Sequence, residues 1–225
     1  MEIHPPGHIQ SFRDVAIHLA IVTAGILIAL GLEQTVEFFN HRRLVAEARA
    51  NILSEIRDNK QELDKQVALL GRFRSAAVEA LDFITDIQET GKSNVHTLHL
   101  NMYNAQLHDA NWSTAQAVGA LALMPYSDVN TYAAAYHRQS DYLSTQSRTE
   151  EAGVSAYSVF SARNRFEKLS HSELEAERAK LMVMVSCLTL QIDEARSLDR
   201  SYENVLAGKS APSAGEHAGE GAPKP

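Results

Sequence analysis

Proline and glycine are almost absent from the middle of this chain, and that distribution constrains the fold more than any other feature. Between residues 7 and 211 the sequence contains one proline, Pro125. Between residues 40 and 206 the glycines are Gly71, Gly91, Gly119 and Gly153. A β-rich chain of this size needs many more turn-forming residues. The sequence therefore predicts an all-α protein built from long helices.

Charge, cysteine content and motifs exclude several classes of protein. The chain has 21 basic and 28 acidic residues, which gives a net charge of −7. Phosphate binding needs a surplus of basic residues on one face, so we expect no nucleic acid partner. The lone cysteine, Cys187, excludes an internal disulfide framework and a cysteine-based zinc site. No phosphate loop, dinucleotide fingerprint, nucleophile elbow or HExxH helix occurs, so we predict no cofactor and no catalytic activity.

An uninterrupted apolar run, residues 15–32, lies near the start of the chain. As a helix it rises about 27 Å, close to the ~30 Å hydrocarbon core of a bilayer. A cleaved signal peptide fits less well, because few basic residues precede the run and apolar residues continue past the candidate cleavage site at Ala24. A buried core helix is the other alternative. We predict a polar tail at residues 1–13 and a transmembrane and interfacial helix at residues 14–39.

Small residues recur every four positions in this predicted span, as one ridge of three alanines and a second pair, and these are candidate surfaces for helix packing. They are Ala16, Ala20, Ala24, Gly25 and Ala29. Such ridges let two helix backbones approach closely in lipid. Alanine and glycine are also common in membrane helices that have no partner. Both interpretations stay open at the level of sequence.

Both ends of the predicted span carry residues suited to the lipid–water interface. His18 lies four residues after Asp14, so we expect an interfacial pair with that carboxylate rather than a proton relay. The anchors predicted at the other end are Phe38, Phe39, Arg42 and Arg43. Basic residues after the span outnumber those before it, and the positive-inside rule then places the large domain in the cytoplasm. A long following domain can override that rule.

The residues of this segment also resemble a known group of proteins. The run AGILIALGLEQTVEFF, followed by HRRLVAEARANILSEIRDN, lies within residues 12–59. It resembles the amino-terminal anchor of a group of uncharacterised bacterial membrane proteins that have a GILIAL-type span and a charged helix. The resemblance implies a bacterial inner-membrane protein and carries no known activity. In that group basic residues often precede the span, which implies a large domain outside the cytoplasm.

Residues 40–206 predict a helical bundle domain that begins with one long helix. Apolar residues at steps of three and four mark its buried stripe. They are Ile52, Ile56, Leu63, Val67, Leu70, Phe73, Ala77, Leu81 and Ile84. Charged residues, Glu55 and Lys60 among them, are predicted on the opposite, solvent-exposed face. Gly91 is predicted to end this helix.

The next segment is less regular. We predict a short helix at residues 96–107 and a second at residues 112–123, which is apolar on all sides and therefore central in the bundle. Pro125 ends that helix, and Ser127 is the predicted N-cap of the following one. The following helix has aromatic residues on one side and a candidate break at Gly153.

A last helix is predicted to begin at a capping box formed by Ser172 and Glu175. Its apolar residues alternate at steps of three and four, as in a bundle or coiled-coil seam. They are Leu174, Leu181, Val185, Leu188, Ile192, Ala195 and Tyr202. The sequence thus predicts an antiparallel bundle of four or five helices. Residues 207–225 predict a disordered tail.

Two groups of residues are candidates for a binding site. His96 and His99 are three residues apart and are the best metal candidate, but no third ligand is evident and ordinary surface histidines explain the pattern better. Trp112, Tyr132 and Tyr136 are candidates for lining a small-ligand site, although tyrosines at helical spacing are more often core residues.

Three functions are consistent with these features. The first is a membrane-anchored helical module that works by contact with a protein partner or by forming a homo-oligomer. The second is a small-ligand sensor that signals through a partner. The third, and least supported, is a metal-dependent enzyme that uses His96 and His99.

Overall fold

The computed structural model describes residues 12–91, 104–161 and 169–209. These residues form four α-helices: α1 at Phe12–Thr90, α2 at Ala110–Ala117, α3 at Tyr126–Ser161 and α4 at His171–Leu206. A 3₁₀ turn at Ala120–Leu123 lies between α2 and α3. The described part of the chain contains no strand. The prediction of an all-α fold is confirmed.

The chain divides into two compact units, Met1–Glu47 and Ala48–Pro225. The first contains the amino-terminal part of α1, in which the apolar side chains from Val15 to Phe39 are exposed. The second contains the remainder of α1 together with the other helices. We describe each unit by itself.

The core of the second unit is built on heptad spacing in three helices. The buried residues of α4 alternate at steps of three and four without interruption. They are Leu174, Glu177, Leu181, Met184, Leu188, Gln191, Ala195, Leu198, Tyr202 and Val205. Most buried residues of α3 from Tyr132 to Ala156, and of α1 from Ile52 to Ile87, follow the same spacing, with further buried residues such as Glu55, Tyr136 and Thr145 beside it. Because this spacing keeps one side of each helix turned to the same axis, the three helices share one core.

Side-chain contacts give the directions of the three helices. Lys60 and Gln88 of α1 bind Asp199 and Glu175 of α4 respectively, so the residue numbers run in opposite directions and the two helices are antiparallel. Asn59 binds Gln139 of α3, and Arg49 binds Asp128, which lies earlier in α3.

α1 and α3 therefore run in the same direction, and α4 runs antiparallel to both. The antiparallel bundle is confirmed. Within the described residues it has three long helices rather than the predicted four or five.

The segment between α1 and α3 differs most from expectation. Residues 104–109, which overlap the predicted helix 96–107, are not helical, and residues 92–103 lie outside the described residues. The predicted helix 112–123 is divided at Gly119, whose φ of +74° is a left-handed conformation that favours glycine. Most of its residues are exposed, so the prediction of a central helix was wrong. The absence of charged residues from this segment therefore did not mean that the segment is buried.

The helix ends agree with the sequence at some positions and differ at others. Gly91 follows the last residue of α1 and has a φ of +67°, as predicted. The capping box of α4 uses Ser170 and Glu173, two residues earlier than predicted. It is Pro125, not Ser127, whose carbonyl accepts the first amide hydrogen bonds of α3. α3 continues through Gly153 without a break.

Candidate functional site

The first candidate site is the apolar part of α1. By length and composition, one helix among the described residues could cross a membrane, and it lies near the amino terminus. Its apolar window has no buried residue. Leu19 and Ile21 are 66% and 65% exposed, and a Cβ added to Gly25 would meet no other atom within 4 Å. The small residues Ala16, Ala20, Ala24, Gly25 and Ala29 are therefore all available to a partner outside this chain.

The predicted interfacial residues form a local cluster. The rings of Phe38 and Phe39 meet edge to face with centroids 5.9 Å apart. The guanidinium of Arg42 lies 5.3 Å from the ring centre of Phe38, within the range of a cation–π contact. Arg43 is exposed beside them. This combination of aromatic and basic groups suits the headgroup region of a bilayer.

His18 is predicted to pair with the carboxylate of Asp14. The side chain of Asp14 lies outside the described residues, so the expected interfacial pair stays a prediction. Further along the same unit, His41 does form an i, i+4 pair with a carboxylate, at 3.7 Å from Glu37.

The second candidate site is a buried polar cluster centred on Glu55. The sequence predicted Glu55 on the exposed face of α1, but the side chain is only 6% exposed. The hydroxyl of Tyr136 in α3 donates to Glu55 Oε1 at 2.6 Å. Tyr136 also stacks on Trp112, with ring centroids 5.3 Å apart. Burial, followed by the hydrogen bond and charge of Glu55, raises the pKa of Tyr136 far above its usual range.

Glu55 also caps α2. The residue before α2, Asp109, makes no side-chain capping bond. Instead, the amides of Asn111 and Trp112 in the first turn donate to the two oxygens of Glu55, at 2.8 and 3.4 Å. A carboxylate at a helix amino terminus satisfies free amides and interacts favourably with the helix dipole. A residue of α1 thus supplies the cap that α2 lacks in its own sequence.

A second layer of the cluster holds the backbone of His108. Asn59 accepts from the His108 amide at 2.8 Å and donates to the His108 carbonyl at 2.6 Å. Gln139 of α3 donates to the same carbonyl at 3.0 Å. Tyr202 of α4 donates to Gln139 at 2.6 Å, and burial raises the pKa of Tyr202. All three long helices thereby contribute to holding one residue of the connecting segment.

A third layer repeats this arrangement. The Gln146 side chain accepts from the backbone amide of Ala105 at 3.0 Å and donates to the Ala105 carbonyl at 3.1 Å. Tyr142 donates to Gln146 at 3.2 Å, and Gln191 of α4 donates to Tyr142 at 3.4 Å. Burial raises the pKa of Tyr142 to about 12. The three layers together fix residues 105–112 along α1 and α3.

The three residues predicted to line a ligand site are only partly brought together. Trp112 and Tyr136 are in contact, and Tyr136 is in the core, with 7% of its surface exposed. Tyr132 instead lines a small cavity of about 50 Å³ with Asp128 and Val205. Ligand pockets are typically ~300–1,000 Å³, so this cavity is too small for a metabolite. Burial raises the pKa of Tyr132.

A charged cluster lies between α1 and α4. Lys60 binds Asp199 directly, and its ammonium lies 3.5 Å from Asp64 and 3.7 Å from Glu203. Burial opposes the positive charge of Lys60, but the hydrogen bond to Asp199 and the three nearby carboxylates together raise its pKa. These contacts fix the register of the two antiparallel helices.

Two histidines are candidate metal ligands in the sequence, although ordinary surface histidines explain their spacing better. His96 and His99 lie outside the described residues. In the part of the chain that is described, no group of three or more His, Cys, Asp or Glu side chains is arranged to hold a metal ion. His137 lies 3.8 Å from Asp141 on the surface of α3.

Sequence reasoning missed the polar residues that organise the second unit, of which Glu55, Asn59, Gln139 and Gln146 are the most important. One signal was present. Asn59, Gln139 and Gln146 occupy positions of the buried heptad pattern, where a polar residue often fixes register. The partners of these side chains could not be identified from spacing.

Comparisons with known proteins give no further information. No known protein family, no curated protein and no solved structure matches this chain.

Proposed function

We propose that this chain is a single-pass membrane protein whose helical bundle acts by contact with a protein partner or by self-assembly. The observation that carries the proposal is the apolar part of α1, in which none of the apolar side chains is buried within the described chain. Exposed apolar surface costs roughly 25 cal/mol per Å² in water, and a bilayer removes that cost. The lipid bilayer is therefore the first partner that we assign.

The bacterial inner membrane is the proposed location. The resemblance of residues 12–59 to the anchor of bacterial membrane proteins supports it, and the aromatic and basic cluster of Phe38 and Arg42 supports an interface at the end of the span. The charge bias favours a cytoplasmic domain and the resemblance favours a periplasmic one. A reporter fused after Leu206, active on only one side of the membrane, distinguishes these locations.

The second unit supports a role in interaction. The buried side chains of Glu55, Asn59 and Gln146 hold the backbone of residues 105–112 in place, so their role is structural. Its outer surface instead includes exposed large apolar side chains, such as Val154, Val183 and Leu190. Single exposed apolar residues are common on monomers, but neighbouring ones such as Val183 and Leu190, seven residues apart on one side of α4, are more typical of a protein that has a partner.

Carbonate extraction tests the membrane anchor. We expect the intact chain to stay with the vesicles after an alkaline carbonate wash, and its mass to include residues 1–32. A variant with Leu19→Arg and Leu27→Arg should be released, because two charges within the span oppose insertion. Release of the unaltered chain, or loss of residues 1–24 from it, contradicts a membrane span.

Co-purification tests the role in interaction. Two differently tagged copies, expressed together and solubilised in mild detergent, should co-purify, or one copy should retain a stoichiometric partner. Gly25→Ile with Ala29→Ile tests whether the small-residue ridge contributes, because bulky side chains prevent close approach of the helices. A strict monomer that retains no partner contradicts this function.

A further inference from the structure

The chain between α1 and α3 includes a stretch that has no charged side chain. We call residues 113–127 the uncharged segment; it comprises most of α2, the 3₁₀ turn and the first residues of α3. No Asp, Glu, Lys, Arg or His occurs in it. About 25% of the residues of a typical soluble domain are charged, so a surface segment of this length normally contains some of them.

The larger apolar side chains of the uncharged segment are for the most part turned away from the core. Tyr126 is 83% exposed, Val118 is 52% exposed and Leu123 is 40% exposed. Three other residues attach the segment to the core, and all of them are buried: Ala115, Ala120 and Met124. Exposed apolar side chains grouped in this way are typical of a surface that contacts another molecule or a membrane.

Contacts on either side of the uncharged segment place it at one end of the second unit. Immediately before it, the amide of Trp112 donates to Glu55 of α1. Immediately after it, Asp128 binds Arg49 of α1. The second unit begins at Ala48, so both partners belong to the first turns of α1 within that unit. The uncharged segment therefore lies at the end where α1 enters the second unit.

The part of α1 that precedes this end contains the residues predicted to lie at the lipid–water interface. Phe39 and Arg49 are ten residues apart in one unbroken helix, which corresponds to a rise of about 15 Å. The headgroup region is itself about 5–8 Å deep. The remaining distance is one that a short helix and its side chains can cover. The connection through α1 therefore leaves lipid headgroups within reach of the uncharged segment.

The composition of the segment suits a lipid surface. Tyrosine is enriched where a membrane meets water, because its ring is apolar and its hydroxyl is polar. Ser113 and Gln116 are exposed and uncharged, so they can bind headgroups or water without the cost of removing a charge from water. Charged groups orient and select partners at protein interfaces, and this segment has none. A fluid lipid surface requires none.

The charges nearest to the segment do not oppose such a contact. The carboxylate of Asp128 is paired with Arg49, which compensates its charge. Asp109 precedes α2 and is exposed, so it can stay in water. Arg42 and Arg43 are exposed beside the predicted interface and favour anionic headgroups.

We infer that the uncharged segment is a second, shallow membrane contact, which inserts the side chains of Val118, Leu123 and Tyr126 among the lipid headgroups. The inference rests on the proposed function and deepens it, because it names the lipid surface as a partner of the second unit. The segment is too short to cross a bilayer, which takes about 20 helical residues. A shallow contact is weak by itself, but attachment through α1 raises its effective concentration at the membrane.

Fluorescence quenching by brominated lipid tests the inference on the full chain. Trp112 is the one tryptophan of the sequence, so Trp112→Phe removes the native signal. In that background Tyr126→Trp is reconstituted in phosphatidylcholine vesicles with and without bromine on the acyl chains near the headgroups. Bromine quenches a tryptophan only on contact. We therefore expect the Tyr126→Trp emission to fall in the brominated vesicles.

Val154→Trp in the same background is the matched control. Val154 is 66% exposed on α3 and follows Tyr126 by 28 residues, about 42 Å of helix rise. Its emission should be equal in the two kinds of vesicle. Replacing part of the phosphatidylcholine with phosphatidylglycerol should leave the quenching of Tyr126→Trp unchanged, because the contact is apolar rather than electrostatic.

Charges introduced into the segment are the second measurement. Val118→Asp with Leu123→Asp should abolish the quenching of Tyr126→Trp, because a charge is costly to remove from water. Val154→Asp with Val183→Asp adds the same charge at other exposed positions and should leave the quenching intact. All of these sites are exposed, and thermal unfolding followed by circular dichroism checks that each variant is folded.

The outcomes separate this inference from the proposed function. If the chain stays with the vesicles after a carbonate wash but bromine does not quench Tyr126→Trp, the inference is wrong while the membrane anchor stands. Shielding of Tyr126→Trp from aqueous iodide without quenching by bromine shows that a protein covers the segment, which also overturns the inference. Equal quenching of Tyr126→Trp and Val154→Trp excludes a contact specific to this segment. Release of the chain by carbonate contradicts both proposals.

Discussion

The hydroxyl of Tyr136 donates a 2.6 Å hydrogen bond to Glu55, and this bond joins α3 to α1 inside the second unit. The same carboxylate accepts the amide of Asn111 at 2.8 Å. One buried acid therefore connects two long helices to the short helix between them. A buried polar group that loses its hydrogen-bond partner destabilises the fold by about 1–3 kcal/mol. Substitutions that remove this contact should therefore lower the free energy of unfolding by a measurable amount.

Glu55→Ala should lower the free energy of unfolding by about 2–4 kcal/mol, because the Tyr136 hydroxyl and the amides of α2 lose their acceptor. Tyr136→Phe should cost less, about 1–2 kcal/mol, since the capping bonds remain. Asp58→Ala, which removes an exposed acid in the same helix, is the control and should change little. Denaturant unfolding of the full chain in detergent measures each value. Equal effects of Glu55→Ala and Asp58→Ala would contradict the role of the buried carboxylate.

Asn59→Ala should loosen the segment that connects α1 to α3. Asn59 accepts from the amide of His108 and donates to its carbonyl, so its loss leaves the amide without this acceptor and the carbonyl dependent on Gln139. We expect the amides of residues 105–112 to exchange hydrogen about tenfold faster or more, which corresponds to roughly 1.4 kcal/mol of lost protection. Asn51→Ala, which changes an exposed asparagine about two turns earlier, should leave that exchange unchanged.

Tyrosine burial predicts a loss of stability at high pH. The pKa of Tyr142 is raised by burial to about 12, from 10.0 in an exposed tyrosine. Below pH 10 both folded and unfolded chains keep this proton, and the full stability is present. Between pH 10 and about 12 the unfolded chain releases the proton first, so stability falls by up to about 3 kcal/mol from this residue.

The comparison of Tyr142→Phe with the unaltered chain isolates this effect. Unfolding free energies measured at about pH 8 and about pH 11.5 should differ less in the variant, because phenylalanine has no proton to release. The buried Tyr136 and Tyr202 retain their own contributions in both proteins. An identical pH dependence in the two proteins would show that Tyr142 ionises equally in the folded and unfolded states.

Two glycines should respond in opposite directions to alanine. Gly119 has a φ of +74°, where a Cβ is strained, so Gly119→Ala should destabilise by about 1 kcal/mol. Gly71 lies inside α1, and a Cβ added there would meet no other atom within 4 Å, so Gly71→Ala should stabilise by about 0.5–1 kcal/mol. Melting temperatures of the two variants provide the test. A gain in stability from Gly119→Ala would exclude the left-handed turn at that position.

Local sequence patterns correctly predicted the features that depend on the residues of a single helix. Gly91 ends α1 as expected, and the heptad spacing of α4 locates its core at Leu174, Leu181 and Leu188. The predicted capping box was displaced by two residues, because Ser170 and Ser172 both have a glutamate three residues later. Two equivalent sequence patterns cannot be separated without the position of the helix start.

The candidate sites were less accessible to prediction. The apolar segment and the aromatic residues that follow it could be identified from residues 15–39, because a helix able to cross a membrane is defined by the composition of one continuous segment. The place of Glu55 could not, since its two main partners are 56 and 81 residues away. The same limit explains why Trp112 was assigned to a central helix rather than to a short capped one.

The sequence by itself determined the helical class, the apolar segment and the spacing of the core, because each depends on neighbours within a few turns of one helix. Only the tertiary structure decided that α1 and α3 run parallel and that Glu55, Asn59 and Gln146 are buried. The physical reason is that burying a polar side chain is favourable only when distant groups supply its hydrogen bonds. Such partners come together only when the chain packs, and the sequence pattern within one helix does not identify them.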